Sequence, residues 1–229
     1  MKKIAIWVLI FSVWWGSKAI GPIYAVDYPI VSLGGSAGWG QSSLANGLVL
    51  KGFCRYSVEA YFPGLHFEGS VVAHFNRPLD RSEQLNPDPQ TERRIIETTA
   101  RDIYPALSAI MQFQPFGEMT TVFAGGGVQW HFLSAAERTT DRYWDDVAQK
   151  YQETETRRVE ILQAGKPGYH LMGGLRVGLS DFGSVDLELR QTFFQVAADD
   201  WLSNAARAKW GSKSWQNFSL NVGLTIHIF

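Results

Sequence analysis

Eight stretches of this 229-residue chain place apolar and polar side chains at alternate positions, and the connections between them alternate in length. The stretches cover roughly residues 28–40, 48–62, 65–76, 105–114, 119–133, 169–180, 184–195 and 217–229. A period of two marks a strand with one oily and one polar face. Most of these stretches are long enough to cross a bilayer at a tilt, which takes about 9 to 11 residues. The second and third are separated by little more than Pro63 and Gly64, the fourth and fifth by Pro115, Phe116 and Gly117, and the sixth and seventh by Asp181, Phe182 and Gly183. These are tight-turn sequences. The other connections are a short polar link near Gln41 to Gly47 and three long ones, at about 77–104, 134–168 and 196–216. An even number of strands then puts every tight turn at one end and every long loop at the other. The pattern predicts an all-β chain, an eight-stranded antiparallel transmembrane β-barrel. A soluble sandwich has no reason to sort its loops by length.

Residues 1–25 read as a signal peptide, with Lys2 and Lys3, the apolar run IAIWVLIFSVWW and a small-residue site ending at Ala25, or alternatively at Ala19. The barrel is then expected over 26–229. The leader takes Lys2, Lys3 and Lys18 with it, which leaves 18 basic and 22 acidic residues and a net charge near −4. That balance lacks the clustered positive patch of a nucleic-acid binder. No second apolar run approaches about 18 residues, so no transmembrane helix is expected. Cys54 is the only cysteine, so no disulfide can form within the chain.

The two faces of the strands sort by charge. Leu50, Cys54, Tyr56, Val58 and Phe62 share one face of the second strand, while Lys51, Arg55 and Glu59 share the other. The third opposes Phe67, Val71 and Phe75 to His66, Glu68 and His74. The fifth opposes Val128, Trp130 and Phe132 to Gln129 and His131, and the sixth opposes Leu171, Leu175 and Val177 to His170 and Arg176. The seventh opposes Val185, Leu187 and Leu189 to Asp186, Glu188 and Arg190. An Arg or Lys turned to lipid at mid-depth costs about 2 to 4 kcal/mol, so the charged faces must line the lumen.

The expected lining is therefore Lys51, Arg55, Arg176 and Arg190 against Glu59, Glu68, Asp186 and Glu188, four of each sign. All five histidines, His66, His74, His131, His170 and His227, accompany them. Eight strands enclose a space that side chains alone can fill, so this set reads as an ion-paired plug, with a polar conduit or a histidine metal cluster as alternatives. The segments Thr91–Asp102 and about Asp141–Leu162 have helical composition, and Trp144, Val147, Tyr151 and Leu162 form a rough apolar stripe in the second. Trp144, Tyr151, Trp201 and Trp210 are candidate loop contacts, with Trp215 in the same tryptophan-rich segment.

No phosphate, dinucleotide or metal motif is expected from GGSAGWG near Gly34 or AGGG at Ala124, where glycines relieve crowding in strands. With every histidine facing inward, a lipid-facing Ser, His and acid set is not expected, and the chain reads as a non-enzyme without cofactor or metal.

The final strand, LNVGLTIHIF, resembles the closing strand of outer-membrane barrels, whose terminal aromatic residue is read by the barrel-assembly machinery. Here Phe229 has the opposite parity to the apolar positions. Together with the signal and the sorted loops, it makes the whole mature chain similar to small outer-membrane barrels of the OmpW, OmpX, OmpA-barrel and opacity type. The resemblance implies an outer-membrane location among lipid, with periplasmic turns and extracellular loops. An OmpW-like member is expected to pass small, partly hydrophobic solutes through a narrow channel. OmpX-like and opacity-like members present surface loops for adhesion to host or partner molecules.

Overall fold

The computed structural model describes residues 30–42, 46–59, 61–76, 80–85, 93–115 and 119–228; the expected leader at 1–25 and Phe229 lie outside them. Nine strands follow in order: β1 (Val31–Ser42), β2 (Asn46–Ser57), β3 (Leu65–Asn76), β4 (Asp80–Leu85), β5 (Arg93–Phe113), β6 (Thr120–Asp145), β7 (Lys150–Ser180), β8 (Gly183–Val196) and β9 (Lys213–Ile228). A 3-10 turn at Ala198–Asp200 and helix α1 (Asn204–Trp210) separate the last two.

All strand pairs are antiparallel. β1 pairs with both β2 and β9, and β3 pairs with β5, so eight strands close into a ring. β4 stands outside that ring on the far half of β5. Paired residues can be followed around the barrel from Val31 to Tyr56, Phe67, Ala109, Gly126, Leu171, Gln191 and Phe218, and the path returns to β1 at Gln41. Ten residues separate its start and end on β1, a stagger that tilts the strands and sets the barrel's bore.

Outside, Leu33, Trp39, Phe67, Leu107, Val128, Leu171 and Leu224 are all exposed. Such a continuous apolar wall needs a hydrocarbon solvent, and a closed ring leaves no open sheet edge within it.

Both expected loop helices are strands. Arg93–Asp102 forms the far half of β5, laddered to β4 on one side and β6 on the other. Its Ile95, Ile96, Thr98 and Thr99 are β-branched, and a dozen residues of helix are marginal without packing, so two-sided pairing prevails. Likewise 134–168 is no irregular loop: β6 and β7 continue as one hairpin until Asp145 faces Lys150. Trp144 and Tyr151 stand opposite each other at its tip, edge to face at 4.9 Å. Their apparent helical spacing comes from the chain folding back. Asp145 Oδ1 caps the tip, accepting from the N–H groups of Val147 and Ala148 at 3.0 Å. Two register shifts leave Thr156 and Ile161 of β7 without partners on β6; each such bulge reverses which side the following residues face. The one α-helix among the described residues is α1, capped by Ser203, whose hydroxyl accepts from the Ala206 N–H, and ended by Gly211 at φ 56°.

Candidate functional site

Inward parity brings the charged residues of β2, β3, β7 and β8 together at mid-barrel. Glu68 accepts from Lys51 Nζ at 2.7 Å, Arg55 Nε at 2.8 Å and Arg190 Nη2 at 3.2 Å. Glu188 meets Lys51 Nζ at 2.6 Å and Arg190 Nε at 3.1 Å. Asp186 binds Arg55 Nη1 at 2.8 Å and Arg176 through Nε at 2.8 Å and Nη2 at 3.1 Å, and it accepts from the Thr225 hydroxyl. Lys51, Arg55, Glu68, Arg176, Asp186, Glu188 and Arg190 are all buried.

The network therefore holds four cations and three carboxylates, not four of each. Glu59 lies beyond the end of β2, at the turn end of the barrel, where its carboxylate is 3.3 Å from His66 Nε2. Lys51 and Arg55 also flank the Phe53 ring, at 4.7 and 4.4 Å from its centre. Gly34 makes room for that ring, since a Cβ there would lie 2.3 Å from it.

A second polar layer lies beside this network. His170 Nε2 and the Ser108 hydroxyl are 2.8 Å apart. His131 donates through Nδ1 to Asp102 at 2.8 Å, bonds Gln129 through Nε2, and is held between Tyr104 and Phe194. His74 is buried too, and His227 bonds Ser32 at 3.0 Å. The histidines belong to separate small networks, and no metal-binding cluster occurs among the described residues. Ser108 and His170 have the spacing of a nucleophile and base, but no acid bonds His170 Nδ1 among the described residues.

An apolar cap closes the loop end. Leu133, Leu162, Phe194, Trp201 and Trp215 form one buried cluster, with Trp210 packed against it. Trp201 is only 2% exposed. It pairs with Leu162, donates its indole N–H to the Gly211 carbonyl at 2.9 Å, and stacks on Trp210. Trp201, expected as a contact residue, is thus a structural plug, and Trp210 its half-buried partner. The cause is the 3-10 turn, tethered by Asp200 to Lys166 at 2.8 Å, which folds the segment back over the mouth. The cavity left between cap and lumen, lined by Asp102, Leu133, Leu162, Phe194 and Trp215, is about 10 Å³. That is no more than one water occupies. Of the four contact candidates only Trp144 and Tyr151 are exposed, at the hairpin tip.

The hairpin and its neighbours β4 and β5 form a four-stranded finger beyond the apolar wall. Arg94 grips Asp141 there with two bonds, 2.8 and 3.2 Å long. They hold the Asp141 carboxyl below the usual carboxylate range.

No protein-family model matches the sequence, and no curated protein does. Solved structures do match. A major outer membrane protein from Thermus thermophilus aligns with a TM-score of 0.51 at 14% identity, covering 86% of this chain and 98% of that one. Neisserial surface protein A aligns at 0.50 and 12%, covering 86% and 96%. At such identities the likeness is one of fold. The chain has the fold of the small eight-stranded outer-membrane barrels.

Proposed function

We propose that this chain is an outer-membrane barrel closed to solute flow, acting without catalysis as a platform that presents its finger to molecules outside the cell. One observation carries this reading: the lumen is bridged by a seven-charge network, and its loop end is sealed by the Trp201 cap. Opening a path would separate buried ion pairs, each removal leaving an unmatched charge at about 3 to 5 kcal/mol. Conductance of the refolded chain in planar bilayers, with folding checked by heat-modifiable gel mobility, tests it. A folded and silent barrel supports the platform; discrete openings would overturn it.

A second reading is an OmpW-like channel that passes small hydrophobic molecules sideways through the wall. It draws on a local weakness. The β5–β6 pairing skips Tyr104 and Pro105, and the neighbouring Trp130 faces Pro167 on β7. Proline lacks the N–H that a ladder needs. An apolar recess lined in part by Gly52, Gly69, Pro105 and Pro167 lies on the outer wall at this point. Vesicle uptake of a hydrophobic dye by the silent barrel would favour this route.

A further inference from the structure

From Lys150 to Glu160, the edge of β7 turned away from β6 has no strand partner among the described residues. β8 joins β7 only from Gly168 onward, and the cap's backbone bonds to β7 at Ile161 and Leu162, with the Val159 side chain packed against the cap cluster. About every second of these eleven residues therefore directs its backbone N–H and C=O outward from the finger, and such edges are templates for another strand. Natural edges are often blunted by charged side chains or bulges. This one is divided: between Lys150 at its tip and Glu160 at its base, Glu153 and Glu155 precede Arg157 and Arg158.

We propose that this edge pairs antiparallel with the same edge of a second copy of the chain held in a facing membrane. The inference rests on the platform reading and names the platform's partner. Charge complementarity selects both orientation and register. β6 has no bulge of its own, so Arg138 and Arg142 lie on one of its faces; their partners Arg158 and Glu153 share that face because Thr156 is an extra residue between them. A twofold axis between Glu155 and Thr156 sets Glu153 opposite the second copy's Arg158, and Arg158 opposite the second copy's Glu153. It also places Thr154 against Arg157 and Tyr151 against Glu160, each pair on a common face.

Arg158 gains most from this. Within its own sheet it stands directly opposite another arginine, Arg138, an unfavourable like-charge pairing. It forms no ion pair among the described residues, while Glu153 has only a 3.9 Å contact with Arg142. Copies in one membrane point the same way, so their β7 edges could meet only in parallel. Glu153 would then face Glu153 and Arg158 would face Arg158, which repels. Antiparallel pairing requires opposed membranes, and many weak contacts between two surfaces add by avidity.

Full-length protein is reconstituted in two differently labelled populations of phosphatidylcholine vesicles, fingers outward as verified by protease access, and energy transfer reports vesicle docking. Wild-type vesicles should dock several-fold above protein-free vesicles and lose this in high salt. Glu153→Arg vesicles alone, and Arg158→Glu vesicles alone, should fall to background. Mixing these two populations should restore docking, because each Arg then meets a Glu. Heat-modifiable mobility shows that both variants fold. Absence of wild-type docking, or docking by single variants without rescue on mixing, would overturn the proposal. Neither result bears on conductance, so the platform reading stands or falls separately.

Discussion

The ammonium of Lys51 on β2 lies 2.6 Å from a carboxylate oxygen of Glu188 on β8, although β1 and β9 stand between those strands in the wall. The contact therefore crosses the lumen. The same lysine holds Glu68 on β3, and Glu68 in turn holds Arg55 and Arg190. Strands far apart in the ring are tied through its centre.

Glu68 is the most connected anion, shared by three cations in a network already short of one negative charge. Glu68→Gln should leave those cations underneutralised where water is scarce and lower stability by about 3 to 5 kcal/mol. Glu59→Gln, whose carboxylate meets His66 alone at the turn end, should cost less than that. Urea unfolding in lipid vesicles, followed by gel mobility, separates the two. Equal effects would mean that the network adds nothing beyond local hydrogen bonds.

Trp201→Ala removes the most deeply buried tryptophan of the cap. A buried Trp replaced by Ala costs about 3 to 5 kcal/mol, more than α1 and its turn can hold by themselves. The segment 197–212 should open locally, so trypsin should cut at Arg207 or Lys209 while the barrel still migrates as folded. Because the ion network is a separate seal, conductance should stay silent. Only Trp201→Ala combined with Arg55→Ser and Arg190→Ser should leak.

The finger should respond to acid. Arg94 holds Asp141 deprotonated below the ordinary carboxylate range. A depressed folded-state pKa contributes stability that is present above the unfolded value, near 3.8, and is lost as pH falls through the folded one. The Trp144 fluorescence of the finger should hold steady from neutral pH to about pH 4 and change below it, and Asp141→Asn should weaken that transition. Both groups lie at the surface, so the effect should be small and salt-sensitive.

Parity along single strands carried the inward set, because in a barrel the side a residue faces follows from its alternation with its neighbours. Lys51, Arg55, His131 and Arg190 could be placed inside without knowing any strand pairing. What parity cannot carry is extent. Nothing in RRIIETTARD says that it lies between β4 and β6, and only that pairing makes it a strand. Bulges are equally silent: Thr156 and Ile161 shift the facing of β7, and no turn residue announces either. Trp201 looked like a surface aromatic because its burial depends on a turn tethered far back along the chain, at Lys166. Alternation gives Glu59 its inward face but not its depth, which is the turn end beside His66.

Two glycines identical in sequence terms should behave oppositely. Gly168 on β7 has the inward parity of His170, and a Cβ there would sit 2.8 Å from the Phe193 carbonyl oxygen and 2.9 Å from His131 Nε2. The carbonyl belongs to the ladder and cannot withdraw, and the imidazole is fixed by Asp102 and Gln129. Gly168→Ala should therefore destabilise the barrel by about 1 to 3 kcal/mol, the usual range for overpacking. Gly52 on β2 has the outward parity of Cys54, and nothing lies within 4 Å of a Cβ built there. Its backbone is ordinary strand, so Gly52→Ala should stabilise by about 0.4 to 1 kcal/mol by restricting the unfolded chain. If the two substitutions moved the unfolding midpoint alike, the closed barrel with this inward face could not be right. The comparison thus tests the fold itself through two methyl groups.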